Sequence, residues 1–366
     1  MVVGQMNKID QKLQAIVDQE IRKKHTHSVL LAVQTDDGQV NFKGAAGTAD
    51  ADQQKPLRTD SPFFVASITK LLTTTSILNL QDRGSLHLDD PIAKHLPQSM
   101  IQGIHTHNGT DYGQRLTIYQ LLSQTSGLAD YFEDKLPGEK SMVERLIAGE
   151  DMEWDVLEAM EITRNLTPKF APNPEKMHYS DSNFRLLGAI VEAVSGKTLE
   201  ENYAEYVLEP LGLQQTYLYD YRKSQGEEPA PFYYQDHLMQ IPRAMSSFRA
   251  DGSIVSTLDE TLTFTKAFAS GKLFDPAHFS RLTARWNLMV PPMIYYGGGM
   301  MRMKMPRIFT PFRALPEMIG HAGSNSSVAF HSREAGITIV GTLYQVDAPA
   351  RSFRMMLNVL NTVLRR

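Results

Sequence analysis

Two residue types that can carry out acyl transfer together stand close to each other near residue 70. The segment FFVASITKLL (63–72) places Ser67 three residues before Lys70, at the head of an apolar stretch that predicts a helix. Residues i and i+3 share one face of a helix, so the amine is expected beside the hydroxyl. Buried lysines are rare and costly. In a cleft of low dielectric the pKa of a lysine falls, and its amine can then accept the proton of the hydroxyl.

This motif alone has low specificity, because S-x-x-K recurs by chance in chains of this length. Ser67 as a helix N-cap and Lys70 as a solvated side chain is the alternative interpretation. Two further stretches favour a catalytic role for Ser67 and Lys70. HYSDSNFRLLG places Tyr179 just before a predicted helix, and MIGHAGSNSSVAF places His321 and Gly323 on or beside a predicted strand. A nucleophile, bases and N–H donors at a strand edge are the components that an acyl-transfer site requires.

The two ends of the chain supply the elements that must position these residues. Apolar residues recur at helical spacing over 6–23, and two strand-like runs over 28–47 flank Asp37-Gly38, which is a hairpin signal. A second hairpin is predicted over 327–345, followed by an amphipathic helix over 349–365. We therefore expect strands from both ends to share one antiparallel sheet, flanked by terminal helices.

The middle of the chain predicts mainly helices and long loops. Helical patterns end at Gly84 and at Gly196, and a short one covers 116–127. The predicted fold class is α+β. A sheet-and-helix subdomain is expected from 6–60 with 286–366, and a mainly helical subdomain from 61–285; the two together form one catalytic domain. A cleft between two such layers is a usual place for a site.

Composition excludes several functional classes. The 366-residue chain has a net charge of −4 and 42% hydrophobic residues, so no basic field predicts binding to nucleic acid or to an anionic membrane. Without cysteine there is no disulfide, thiolate metal site or cysteine nucleophile. No apolar run reaches the length of about 18 residues that a membrane span needs. The N-terminus shows no signal peptide, so a cytoplasmic protein is expected unless a signal has been removed.

Two other stretches receive structural interpretations. His105 and His107 lie near Asp111, but a third strong metal ligand is missing, so the segment 104–112 is predicted to be a surface loop. No metal and no other cofactor is predicted. The Met- and Gly-rich segment 289–309 predicts hairpin strands beside the core, with an adaptable acyl pocket as the alternative.

Six stretches in order together resemble a known family, the serine hydrolases related to class C β-lactamases, which include D-alanyl-D-alanine carboxypeptidases and β-lactamase-like esterases. The stretches are FFVASITKLLTTTSILNLQDRGSLHLDDPIAKHLP, LTIYQLLSQTSGLADY, YSDSNFRLLGAIVEAVSG, LEPLGLQQTYL, ADGSIVSTLDE and GHAG. The resemblance covers about residues 28–345. It implies a β-lactamase/transpeptidase-like fold and small ester, amide or β-lactam substrates, and it says nothing about oligomeric state.

The resemblance also implies roles for individual residues. Ser67 would be the acylated nucleophile, and Lys70 and Tyr179 would share the general-base and general-acid duties. The backbone N–H groups of Ser67 and Ser324 would form the oxyanion hole, and Gly323 would lie at the substrate. Which residue takes the first proton stays open, as it does for related enzymes.

The chain departs from the family pattern at two positions. The second motif normally ends in asparagine, whereas here it ends in Asp181. Asp181 either pairs with Lys70, holds it protonated and shifts the base duty to Tyr179, or caps the following helix. In the third motif His321 replaces the lysine of class C β-lactamases. Histidine is largely neutral above pH 7 and attracts a β-lactam carboxylate less.

The expected function is that of an esterase or amidase of small acyl groups, which fits the lack of a signal peptide because peptidoglycan lies outside the cytoplasm. A D-alanyl-D-alanine carboxypeptidase or penicillin-binding protein fits His321 and is the first alternative. A class C-like β-lactamase is the second. A binding or sensing protein that becomes acylated without turnover, or whose catalysis was lost through Asp181, is the third.

Overall fold

A computed structural model describes residues 7–52, 54–309 and 314–365. Met6 begins the predicted N-terminal segment and Arg366 ends the predicted C-terminal one, and both residues lie outside these ranges. An antiparallel sheet of eight strands organises the molecule, with the order β3-β4-β5-β6-β7-β8-β1-β2. Its strands are β1 Ser28–Thr35, β2 Asn41–Gly47, β3 Asn287–Val290, β4 Ile294–Tyr296, β5 Met301–Met303, β6 Met318–Ala322, β7 Val328–Ser332 and β8 Ile337–Thr342.

The two ends of the chain meet at β1, the central partner of both hairpins. Leu30 of β1 lies opposite Ala45 of β2 on one side and opposite Thr342 of β8 on the other. Seven of the eight residues of β1 are buried, although successive side chains of a strand point to opposite faces. Both faces of this strand are therefore covered.

Three long helices pack on the sheet. Helix α1 (Lys8–Ile21) and the last helix, α5 (Pro349–Leu364), contact each other and the strands from the two termini. Helix α4 (Leu258–Ala269) packs against β1, β7 and β8. The predicted fold class and the shared sheet are confirmed. The division into two subdomains stays a prediction.

The middle of the chain is mainly helical and is built around α2 (Thr69–Asp82) and α3 (Asp181–Ser195), which pack on each other. Helix α3 ends at Gly196, whose φ of 68° is the left-handed conformation that favours glycine. The shorter helices are Gln98–Ile101, Ile118–Leu122, Met142–Ile147, Val156–Asn165, Leu199–Tyr203, Glu209–Leu211, Pro242–Ser247 and His278–Leu282. The shorter strands are Phe63–Phe64, Thr106–His107, Thr110–Asp111, Tyr217–Leu218, Tyr233–Tyr234, His237–Leu238 and Ile254–Ser256.

The prediction that residues 104–112 form a surface loop is wrong for His105. The segment is a small hairpin, and His105 is fully buried at its base. Its ring packs edge-on against Tyr112, with 5.4 Å between the ring centroids. His107 is half-buried and Asp111 is exposed, as expected of a surface segment. Within the described ranges, no helix is long and apolar enough to cross a bilayer.

Candidate active site

Ser67 lies in a tight turn that leads into α2. The 3₁₀ turn Ala66–Ile68 continues directly into the helix, and Ala66 has a φ of 50°. Few residues other than glycine adopt that conformation, so the surrounding structure must hold it. The β6–β7 turn does so, because Asn325 donates a hydrogen bond to the Phe64 carbonyl and Ser327 donates one to the Val65 carbonyl. The nucleophile is thereby fixed against the edge of the sheet.

Lys70 is completely buried and has three acceptors for its ammonium protons. Its Nζ lies 3.1 Å from Ser67 Oγ, 2.7 Å from the Asp251 carbonyl oxygen and 2.7 Å from Asp181 Oδ1. The predicted pairing of Ser67 with Lys70 is thus present in the structure. A nitrogen surrounded by three acceptors is suited to the protonated form.

The carboxylates around Lys70 decide its charge. Burial lowers the pKa of Lys70, but Asp181 and Asp251 raise it by more, and the net result is a pKa above the ordinary value. Lys70 is therefore an ammonium in the resting site. It donates a hydrogen bond to the nucleophile and is not a free amine base.

Tyr179 stands over this ion pair. Its ring centroid is 5.3 Å from Lys70 Nζ, and its ring packs edge-on against Tyr296. Burial and the charge of Asp181 raise the pKa of Tyr179 well above its usual value, and a hydrogen bond with Ser67 offsets only part of this. Tyr179 is therefore a neutral phenol, even with a cation nearby.

Asp181 is the first residue of α3, and the N-cap is Ser180. The interpretation of Asp181 as the cap residue is therefore wrong, since its Oδ1 is within 2.7 Å of Lys70 Nζ. Its backbone N–H donates to Asp130, whose buried carboxyl has a pKa far above the ordinary value because of burial and the nearby Asp181. The Asp130 carboxyl thus lies directly behind Asp181.

The strand edge approaches the nucleophile at Gly323. A Cβ on Gly323 would lie 2.4 Å from Ser327 Oγ and 2.7 Å from Ala66 Cβ, so only glycine fits. Gly323 therefore allows the β6–β7 turn to pack closely against the segment that carries Ser67. This is a second role, beside the space for substrate that the sequence predicts. Ser324 follows in the turn and lines the cavity beside Ser67, and its N–H donates to no described residue. Both predicted oxyanion donors therefore border the same space.

His321 is fully buried on β6, and its Nδ1 is 2.8 Å from the Ala322 carbonyl oxygen. Because a carbonyl only accepts, Nδ1 carries the proton and Nε2 is a bare acceptor. Burial and the nearby Lys70 lower the pKa of His321 to about 3. The ring is therefore neutral throughout the physiological range, and it lies 6.2 Å from Tyr179 between centroids.

A cavity of about 490 Å³ opens over Ser67. Tyr179, Asp181, Gly323 and Ser324 line it, together with Ser67. Most of the remaining lining is apolar: Phe132, Val143, Leu146, Ile147, Phe232, Met239, Ile241, Met245, Phe248, Met289, Val290, Ile294, Met301, Val346 and Phe353. The segment 289–309 therefore supplies both the predicted strands and a wall of the pocket.

The sequence interpretation missed Asp251 and Gln124. The Asp251 carbonyl orients Lys70, while its buried carboxyl accepts a hydrogen bond from Tyr131 and has a pKa raised to about 7 by burial and Asp181. Gln124 accepts from the Ser180 N–H and so fixes the loop that carries Tyr179. Both lie inside stretches that resemble the family, but neither residue type signals its role in sequence.

Curated relatives of this chain include an esterase and a penicillin-binding protein. Esterase EstB of Burkholderia gladioli is 30% identical over 206 residues, which is 56% of this chain and 50% of the esterase. Penicillin-binding protein 4* of Bacillus subtilis is 28% identical over 190 residues, which is 51% of this chain and 37% of that protein. The chain thus matches half or less of the length of these curated relatives.

Solved structures match over a greater length. A D-stereospecific amidohydrolase from Streptomyces sp. superimposes with a TM-score of 0.71 at 25% identity, over 92% of this chain and 93% of that one. D-amino acid amidase from Ochrobactrum anthropi SV3 gives 0.78 at 20% identity, over 98% and 99%, and shares the fold. The β-lactamase family model matches residues 10–355. This chain therefore belongs to the β-lactamase family, with the fold that its motifs predict.

Proposed function

We propose that this protein is a serine hydrolase that forms an acyl-enzyme on Ser67 and cleaves ester or amide bonds of small substrates with apolar acyl groups. The observation that carries the proposal is the position of Ser67, bonded to Lys70 and facing Tyr179 at the floor of an apolar cavity. The esterase and amidase relatives support the same class of bond.

In the acylation step, Ser67 Oγ attacks the carbonyl carbon as its proton moves to the Tyr179 oxygen. Tyr179 passes its own phenol proton to the leaving nitrogen or oxygen, so a neutral phenol suffices. The Lys70 ammonium donates to Oγ and stabilises the negative charge that develops there. The N–H groups of Ser67 and Ser324 bind the carbonyl oxygen as it becomes an oxyanion, and such donors typically contribute about 10²–10³ in rate each.

Deacylation reverses the proton path. Water gives a proton to Tyr179 as its oxygen attacks the acyl carbon. Tyr179 returns a proton to Ser67 Oγ as the ester bond breaks, and the acid product leaves. Asp181 holds Lys70 as an ammonium in both steps.

A carboxypeptidase or β-lactamase role has less support. Those substrates carry a carboxylate, yet among the described residues no lysine, arginine or histidine lines the cavity, and His321 is neutral. A sensor that is acylated without turnover is separated from an enzyme by deacylation, since it would stop after one equivalent.

The test is kcat/KM for p-nitrophenyl butyrate and for nitrocefin, with Ser67→Ala as the blank. We expect steady turnover of the ester, slow turnover of nitrocefin and loss of both in the variant. Nitrocefin turnover that exceeds ester turnover by orders of magnitude would make the protein a β-lactamase. Equal inertness of wild type and variant towards the ester would refute the proposal.

A further inference from the structure

The apolar cavity over Ser67 is rich in sulfur. Four of the residues that line it are methionines: Met239, Met245, Met289 and Met301. The chain has no cysteine, so thioethers are the only sulfur groups that an oxidant meets. A thioether takes up an oxygen atom from a peroxide and becomes a sulfoxide, which is polar. Oxidation in this cavity would therefore change how it binds apolar groups.

Met289 is the methionine of the cavity that solvent reaches. It is half-buried, whereas the other three are buried. Its strand, β3, lies at the edge of the sheet, so no further strand covers its outer side. The residues on either side of it, Leu288 and Val290, are 48% and 47% exposed. A peroxide at the mouth of the cavity therefore has access to the Met289 sulfur.

Met289 is also distinct among the methionines that solvent reaches. Among the described residues no methionine is exposed, and five are half-buried: Met152, Met177, Met289, Met293 and Met305. Of these five, only Met289 lines the cavity. An oxidant that enters the cavity meets Met289, whereas an oxidant in bulk water meets all five.

The surroundings of Met289 suit a thioether and not a sulfoxide. Val290 and Ile294 line the cavity beside it, and within the described ranges no lysine, arginine or histidine side chain borders the cavity as a charged donor. A polar group that is buried without a donor costs free energy, and one that draws in water reduces the binding of apolar groups. Oxidation of this one sulfur therefore weakens the apolar pocket without touching the catalytic residues.

We infer that Met289 is an oxidation site for organic hydroperoxides that enter the apolar cavity, and that its sulfoxide lowers the affinity of the cavity for apolar substrates. In the reaction the Met289 sulfur attacks the terminal oxygen of the hydroperoxide, and the O–O bond breaks. The remaining alkoxide takes up the proton of the transferred oxygen and leaves as an alcohol. Sulfur is oxidised by two electrons and the hydroperoxide is reduced by two.

The first measurement locates the modification and needs no enzymatic activity. The full chain is treated with cumene hydroperoxide or with hydrogen peroxide, and the sulfoxides are located by tandem mass spectrometry of tryptic peptides. The ratio of oxidised Met289 to oxidised Met152 should be about threefold or more higher with cumene hydroperoxide, because only the apolar peroxide is concentrated in the cavity. An equal ratio with the two peroxides would overturn the inference.

The second measurement follows the consequence for ester turnover, and this part of the inference rests on the proposed function. After oxidation, KM of wild type for p-nitrophenyl butyrate should rise about fivefold or more, with kcat within about twofold. Each variant is compared with its own untreated sample. Met289→Leu should show no rise in KM on treatment. Met152→Leu, which removes a half-buried methionine outside the cavity lining, is the matched control and should respond as wild type does.

The two measurements separate failure of the inference from failure of the proposed function. A rise in KM that persists in Met289→Leu, or an unchanged KM once Met289 is fully oxidised, would overturn the inference while ester turnover leaves the proposed function standing. Absence of all ester turnover in untreated wild type would refute the proposed function. The ratio of oxidised Met289 to oxidised Met152 would still decide whether the cavity directs the oxidation.

Discussion

Replacing Asp181 by asparagine separates the two possible roles of Lys70. The substitution keeps an oxygen near Lys70 Nζ but removes the charge that lies 2.7 Å away. Burial then lowers the pKa of Lys70 without the compensation that Asp181 now provides. If the ammonium stabilises the Ser67 alkoxide, the variant loses activity as pH rises through this lowered pKa, because the amine becomes neutral.

The size of the expected loss in stability follows from the burial of Lys70 and Asp181. The side chains of Lys70 and Asp181 are 0% and 12% exposed. Removing one partner of a buried pair costs about 3–5 kcal/mol. Since the asparagine oxygen and two other acceptors remain, we expect a stability loss of about 2 kcal/mol in chemical denaturation. We expect kcat/KM for p-nitrophenyl butyrate to fall by about tenfold to a hundredfold at pH 9, which is about 1.4–2.7 kcal/mol of transition-state stabilisation.

The assay is the pH dependence of kcat/KM for that ester between pH 5 and 10. Asp155→Asn is the matched control, because it removes an equivalent charge at the start of another helix, Val156–Asn165, away from Lys70. A variant that becomes more active than wild type at alkaline pH would refute the reasoning. Lys70 would then act as a neutral base.

Three further predictions concern other residues. His321→Lys should destabilise the protein by about 1–3 kcal/mol, since it places a second cation at a fully buried position near Lys70; wild-type stability in chemical denaturation would contradict this. Gly323→Ala should lower kcat for the ester by about a hundredfold and destabilise the protein by about 1–3 kcal/mol, because its Cβ would meet Ser327 and Ala66; wild-type kinetics and melting would contradict this. Hydrogen bonds from Lys94, the His87 backbone and His95 outweigh desolvation and lower the pKa of Asp90 to about 2, so Asp90→Asn should cost about 1 kcal/mol at neutral pH. That difference in unfolding free energy should vanish as pH falls from about 4 towards 2, and a difference that persists at pH 2 would contradict the assignment.

Local patterns in the sequence predict much of the fold. The hairpin signal at Asp37-Gly38 and the hydrophobic periodicity of the terminal segments predict β1, β2, β8 and α5 closely. These elements can be predicted because turn signals and periodicity depend only on residues that are close in sequence. His105 could not be placed in this way. A histidine between turn residues is usually exposed, and only the packing against Tyr112 shows that this one is buried.

The site also contains features that the sequence predicts and features that it does not. Spacing brings Ser67 and Lys70 together, since one turn of helix connects them. The charge state of Lys70 depends on the carboxylates of Asp181 and Asp251, which lie more than 100 residues away in sequence. Sequence could offer only the choice between a cap and an ion pair for Asp181, because both use the same residue type at the same position. The distance between the two side chains decides between them.

The most direct test of the central claim is to capture the acyl group. Wild type and Ser67→Ala are mixed briefly with p-nitrophenyl butyrate, quenched in acid and examined by intact-mass spectrometry, with tryptic mapping of the peptide that spans residues 59–70. The account predicts one butyryl group per wild-type chain, located on Ser67, which disappears as the ester is exhausted, and none on the variant. Turnover without any adduct, or an adduct of equal yield on Ser67→Ala, would contradict it.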